Sequence, residues 1–182
     1  MGELGHIPPP HPILRLAREI EAAAVSTLDA DLATMADGSL GVVTREVWKM
    51  QPGDDPHRDY GGKMDLPAIA VYAENVGMSD GLTCGSDTLL FALFVGVVTE
   101  DASTTVARRA NLDIQAVAVY ALMCAIRVAP HSWIETSGVY LWSPGGEAEK
   151  RAPEQRDARP ERFQSIARIP IHVEWVHEEM VV

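Results

Sequence analysis

His172 and Glu174 stand two residues apart in the segment RIPIHVEW, residues 168–175. A His-x-Glu pair can hold zinc and relay a proton, as in the deaminases that attack a nucleobase with metal-bound water. That chemistry also needs a Pro-Cys-x-x-Cys segment, which this chain lacks. On an extended strand the two side chains share one face, and a metal site needs three or four convergent ligands. The pair therefore reads as a surface pair on a strand. His172 and His177 are an odd number of residues apart, so a strand turns them to opposite sides. Cys84, in LTCGSD, is a thiol nucleophile in principle, with His131 as its base. No activating group stands beside it in sequence, and it reads as a loop cysteine. Asp54, Asp55, Asp59 and Asp65 are hard oxygen ligands for a cation, but their spacing is not that of a calcium loop. Gly77, Gly81 and Gly85 recur every fourth residue, which suits a turn and matches no phosphate-binding glycine pattern. No lipase-type nucleophile elbow is predicted, since the GxSxG string at Gly77–Gly81 lies between two predicted strands and no helix follows it, and the SxxK and HExxH patterns are absent. The expectation is a protein with no catalytic residues, no metal site and no cofactor.

The residue types that remain suit contact with other proteins. Two polar, Gly/Pro-rich segments interrupt the apolar patterns: Gln51–Asp65 (QPGDDPHRDYGGKMD) and Ser143–Arg162 (SPGGEAEKRAPEQRDARPER). Connections of this length are uncommon inside a compact domain and tend to be functional or disordered, and the second also reads as a solvated loop. In the first, Asp54, Asp55, Arg58 and Tyr60 are the candidate contacts. In the second, Lys150, Arg151, Arg156, Arg159 and Arg162 are balanced by Glu147, Glu149, Glu154, Asp157 and Glu161. A nucleic-acid arm is one-sided in charge, whereas a balanced arm can order on a protein partner through Arg–carboxylate pairs. Trp48, Trp133, Trp142 and Trp175 all fall on predicted strands and read first as packing residues. Tryptophan is enriched at interfaces, and Trp48 joins the candidate contacts with Arg168, His172 and Glu174 of the last strand.

Composition narrows the partners. The chain has 182 residues, 47% of them hydrophobic and 23% charged, with a net charge of -11. An acidic protein repels a phosphate backbone, so sequence-independent gripping of nucleic acid is not the expected function. It can still surround nucleic acid without sticking to it. Cys84 and Cys124 are expected to be free thiols, Cys124 as a small core residue. The N-terminal MGELGHIPPP has no basic or apolar signal region, and His6 stands where myristoylation favours Ser or Thr. The longest apolar run, Ala116–Ile126, is too short to span a bilayer. A soluble protein made in the cytoplasm, with no membrane partner, is expected.

The elements that must position these residues follow from periodicity. Ile13, Leu16, Ala17, Ile20, Ala24 and Leu28 recur at three- and four-residue steps and predict a helix over about 13–29. Strands are predicted at Gly41–Met50, Leu66–Glu74 and Asp87–Thr99, the last nearly all apolar and therefore central. Gly77–Gly85 is a turn-rich connection. Asp101 or Ser103 caps a second helix that runs to about Ala129, where Pro130 stops it. Val106, Ala110, Ile114, Val117, Ala121 and Val128 mark its expected buried face. Ser132–Trp142 is a further strand. In Phe163–His177, Ile169, Ile171, Val173 and Trp175 alternate with Arg168, Pro170, His172 and Glu174, as in an antiparallel strand with one wet face. Pro170 lacks a ladder donor, which predicts an edge or a bulge there. The order is α-β-β-β-α-β-β: an α+β fold in one domain over 1–182, a mainly antiparallel sheet packed by two helices. Residues 1–11, with Pro8, Pro9 and Pro10, form an extended leader, and 51–65 and 143–162 are arms at hairpin tips. Deleting Gly145–Arg159 is expected to spare folding and weaken assembly.

That layout, with a helix opening on His-Pro-Ile (11–13), a long polar arm between strands and a closing Arg-Ile-Pro-Ile-His-Val strand (168–173), resembles the tail terminator proteins of long-tailed phages. They are also called tail completion or minor tail proteins. The resemblance covers Pro12 to His177 and lies in the layout, not in a signature motif. It implies a virion structural protein and not an enzyme: a protomer that closes into a ring, typically a homo-hexamer. The ring caps the tail tube, ends its polymerisation, meets the neck or connector protein on the head side, and lets DNA pass through its lumen. The arms correspond to segments touching neighbouring subunits or the tube. A head–tail connector, or head completion protein, shares the ring logic. A small cytosolic enzyme using Cys84 and a ligand-binding α+β domain are the readings of other classes.

Overall fold

The computed structural model describes residues 12–35, 46–49, 66–81, 85–136, 139–143, 147–156 and 159–176. Helix α1 is Pro12–Met35. Pro12 occupies its first position, where the missing N–H removes no helical bond. Leu16, Ile20, Ala24 and Leu28 are fully buried along one stripe, as their spacing predicts. Helix α2 is Thr104–Val128, with Ser103 at its N-cap position and the backbone N–H of Ser103 held by Asp101 Oδ1 at 2.8 Å. It ends in a 3-10 turn, Pro130–Ser132, as Pro130 requires.

The strands are β1 Glu46–Lys49, β2 Ala68–Asp80, β3 Ser86–Glu100, β4 Val139–Ser143, β5 Glu149–Lys150, β6 Glu154–Arg156 and β7 Arg159–Val176. They form one sheet in the order β1-β2-β3-β7-β4, with β5 and β6 also paired to β7. All pairings are antiparallel except β1 with β2. Ile69, Val71, Leu89, Phe91, Leu93, Val95, Ala167, Ile169, Ile171 and Val173 alternate onto one face and share a core with both helices. Polar ties lock α2 to that face. Asn111 Nδ2 donates to Val97 O at 2.9 Å and to Phe163 O at 3.2 Å, and Thr99 Oγ1 donates to Ala107 O at 2.7 Å. The α+β class and the opening order α-β-β-β-α stand as the sequence predicts.

Several local expectations change. β1 runs parallel to β2, and a parallel pair needs a crossover of about a dozen residues or more. The two strands are therefore not joined as a hairpin, and the arm between them lies outside the described residues. Half of the supposed Gly77–Gly85 connection is strand: β2 and β3 pair as far as Asp80 and Asp87. Gly81 closes that hairpin, its N–H donating to Ser86 O at 3.0 Å, and a Cβ there would collide with Ser86. The buried face of α2 is rotated from the one expected. Ala110, Ile114 and Ala121 are buried, but Val106 and Val128 are exposed while Ala107, Ala118, Leu122 and Ile126 are buried in their place. Residues 133–136 are not strand, and buried Trp133 packs from the loop after the 3-10 turn. β7 is not an edge, since β3 flanks it on one side and β4, β5 and β6 on the other. Pro170 is tolerated because the outer flank lapses there: β5 pairs with Ala167 and Arg168, and β4 resumes at His172 across a register shift.

Candidate assembly surface

The face of the sheet turned away from the helices carries a row of side chains in register. Tyr72 on β2 lies opposite Phe94 on β3, Phe94 opposite Arg168 on β7, and Arg168 opposite Glu149 on β5. Tyr72 and Phe94 are stacked, with centroids 4.6 Å apart and planes within 9°. Cross-strand aromatic pairs of this kind stiffen a sheet. Burial, and secondarily the Glu74 charge, pushes the Tyr72 hydroxyl above its ordinary range. Arg168 reaches Glu149 at 3.5 Å. Further along β7, Ser86 Oγ donates to Glu174 at 2.7 Å. Arg168, His172 and Glu174 thus do share one face, as the alternation predicts, and all three are half-buried.

The second arm is folded against this sheet. β5 and β6 lie within it and β7 begins at Arg159, so half of the arm's residues belong to strands of the sheet. The cause is the length of β7: its first half needs a partner on the flank that β4 does not reach, and an unpaired ladder group is costly. Arg162 is the clearest correction. It is 5% exposed and pairs with Glu100, its register partner on β3, at 2.5 Å. It is a structural ion pair and not a surface contact. Arg151 is exposed, while Arg156 and Arg159 face each other in register where β6 meets β7. Trp48 lies on β1. Asp54, Asp55, Arg58 and Tyr60 lie outside the described residues, as do Cys84, the leader 1–11 and the first arm.

Sequence reasoning missed the outer face of α2. From Ile114 to Ile126 the helix has no charged residue, yet it covers only one side of a sheet. Leu112, Tyr120 and Val128 are 42%, 69% and 82% exposed. By length and composition Thr104–Val128 could cross a membrane, and 44% of its most apolar window is buried in the fold. The signal was the charge-free run between Asp113 and Arg127. Beside this face, Arg109, Leu112, Asp113, Gln115 and Ala116 of α2 and Lys150, Arg151 and Ala152 line a groove of about 430 Å³. Gln115 is buried, and its Nε2 has no partner among the described residues. A second cleft, of about 490 Å³, lies between α1 and the loop after the 3-10 turn. Glu19 braces that loop, accepting from Glu135 N at 3.0 Å, Thr136 N at 3.1 Å and Thr136 Oγ1 at 2.8 Å. Among the described residues, no three His, Cys, Asp or Glu side chains gather as metal ligands do.

In fold the chain is similar to a protein in the virion of the native gene transfer agent (GTA) particle. The TM-score is 0.50 and the identity 15%, with 87% of this chain and 97% of that one covered. At that identity the likeness concerns the fold alone. No protein-family model and no curated protein matches the chain.

Proposed function

We propose that this chain is a structural protein of a phage-like virion, without enzymatic activity. We infer further that it forms the ring that caps the tail tube, ends its polymerisation and joins it to the neck. The observation that carries the reading is the fold likeness to a GTA virion protein across nearly the whole of that chain. Physical features of the protomer support it. Exposed Leu112, Tyr120 and Val128 on α2 and two sheet edges unpaired among the described residues are surfaces that assembly covers. A head-to-tail contact between unlike patches closes into a ring when its rotation allows. The net charge of -11 keeps DNA from adhering to such a ring. The partners are then further copies of the chain, six in a closed ring, with the tail tube protein on one side and a neck or connector protein on the other.

Native mass spectrometry with negative-stain imaging tests this. Closed rings that decorate the ends of purified tail tubes are the expected result. A strictly monomeric chain that ignores tubes overturns the reading. Rings that bind portal-bearing heads but not tubes move the chain to the head-side connector.

A further inference from the structure

The exposed end of the β2–β3 hairpin carries an acidic residue, and a groove beside α2 is basic; the two complement each other but cannot meet within one molecule. The hairpin is the end of β2 and β3. A bulge between Asn75 and Gly77 throws Val76 outward, and Asn75 Nδ2 stabilises it by donating to Gly77 O at 3.0 Å and Leu90 O at 3.2 Å. Val76 and Met78 are 46% and 64% exposed, and Asp80 beyond them is exposed too. From Leu66 to Asp101 the chain has no lysine or arginine, and its charged residues are Glu74, Asp80, Asp87, Glu100 and Asp101.

The groove between α2 and the strand pair β5–β6 has the opposite character. Its apolar floor is Leu112 and Ala116. Arg109 is held by Asp113 at 3.0 Å, whereas Lys150 and Arg151 are exposed and make no salt bridge among the described residues. The register fixes how far apart the two features are. Lys150 lies opposite Ala167, and Ala167 opposite Val95, while the hairpin end pairs Asp80 with Asp87. Asp87 and Val95 are eight residues apart on β3, about 27 Å at about 3.4 Å per residue. A chain cannot place its own hairpin in its own groove.

We propose that the hairpin end of one copy docks in the α2–β5 groove of the next copy. This rests on the ring reading above and names the contact that would build the ring. Met78 and Val76 lie on Leu112 and Ala116, and Asp80 meets Lys150 and Arg151. The two patches are different surfaces of one chain, so the contact is head-to-tail, the kind that propagates around a ring. Opposed charges across it set orientation and reject mismatched copies.

A charge exchange tests it by sedimentation velocity and native mass spectrometry of the full chain. The double variant Lys150→Glu/Arg151→Glu and the single variant Asp80→Lys are each expected to shift assembly to at least about tenfold higher protein concentration, with unchanged circular dichroism and melting. Mixing the two variants is expected to restore assembly, because each supplies the charge the other lacks. As a second readout, Met78→Cys with Ala116→Cys is expected to give a ladder of disulfide-linked copies that neither single variant gives. Rings that form normally in every charge variant, with no such ladder, overturn this inference and leave the ring reading standing. A wild-type chain that never assembles overturns both.

Discussion

Glu19 shows what a single side chain contributes when its partners are far away in sequence. Its carboxylate gathers the Glu135 and Thr136 backbone N–H groups and the Thr136 hydroxyl, while Arg15, one turn back on α1, donates at 2.9 Å. Burial alone raises its pKa, but the hydrogen bonds from Thr136, Arg15 and Glu135 outweigh this and hold it below the ordinary carboxylate value. A lowered native pKa means stabilisation that is complete above the unfolded value and lost as the pH falls through the native one. Glu19→Gln is therefore expected to cost about 1 kcal/mol at neutral pH, with the difference from wild type closing as the solution is acidified. Urea unfolding across a pH series measures it, and a difference that does not change with pH would contradict this account. Neither this brace nor the Arg162–Glu100 pair was legible in the sequence. In both, the partner belongs to a distant element brought near only by the fold. The alternation that put Arg168, His172 and Glu174 on one face was legible, because period two within a strand is local.

At the scale of elements, local periodicity predicted well and pairing did not. The stripe of α1 and the burial of Ile169, Ile171 and Val173 follow from spacing alone. The rotation of α2 does not. Alanines at 107, 110, 118 and 121 fit close against a sheet, so smaller residues took the inner face and left Val106 and Val128 outside. The parallel pairing of β1 and β2 is likewise a property of partners and not of either strand. The second arm is polar in composition, yet short polar strands serve well on a flank that meets water. This reverses the expectation for Gly145–Arg159. Deleting it strips β5 and β6 from β7 and is expected to cost about 3 kcal/mol or more, at about 1 kcal/mol for each lost ladder bond. Thermal melting followed by circular dichroism gives the answer, and a variant that melts with the wild type would show that the arm is dispensable to the fold.

For the molecule as a whole, the sequence indicated surfaces and the structure relocates them. Asp54, Asp55, Arg58 and Tyr60 lie outside the described residues, Arg162 is interior, and α2 exposes Leu112, Tyr120 and Val128. If that face is covered in the assembly, Tyr120→Glu is expected to raise the protein concentration needed for assembly about tenfold, the loss typical of an aromatic anchor at an interface. Sedimentation across a dilution series reads this, and an unchanged midpoint would remove the face from the contact. The far flank of the sheet has one more consequence. It is made of β4, β5 and β6, strands of five, two and three residues, instead of one continuous strand. A long flat edge is a template for amyloid-like stacking. An edge cut into pieces gives a stray strand nowhere to zip up. Such an edge lets the folded chain stay at high concentration without turning into fibrils.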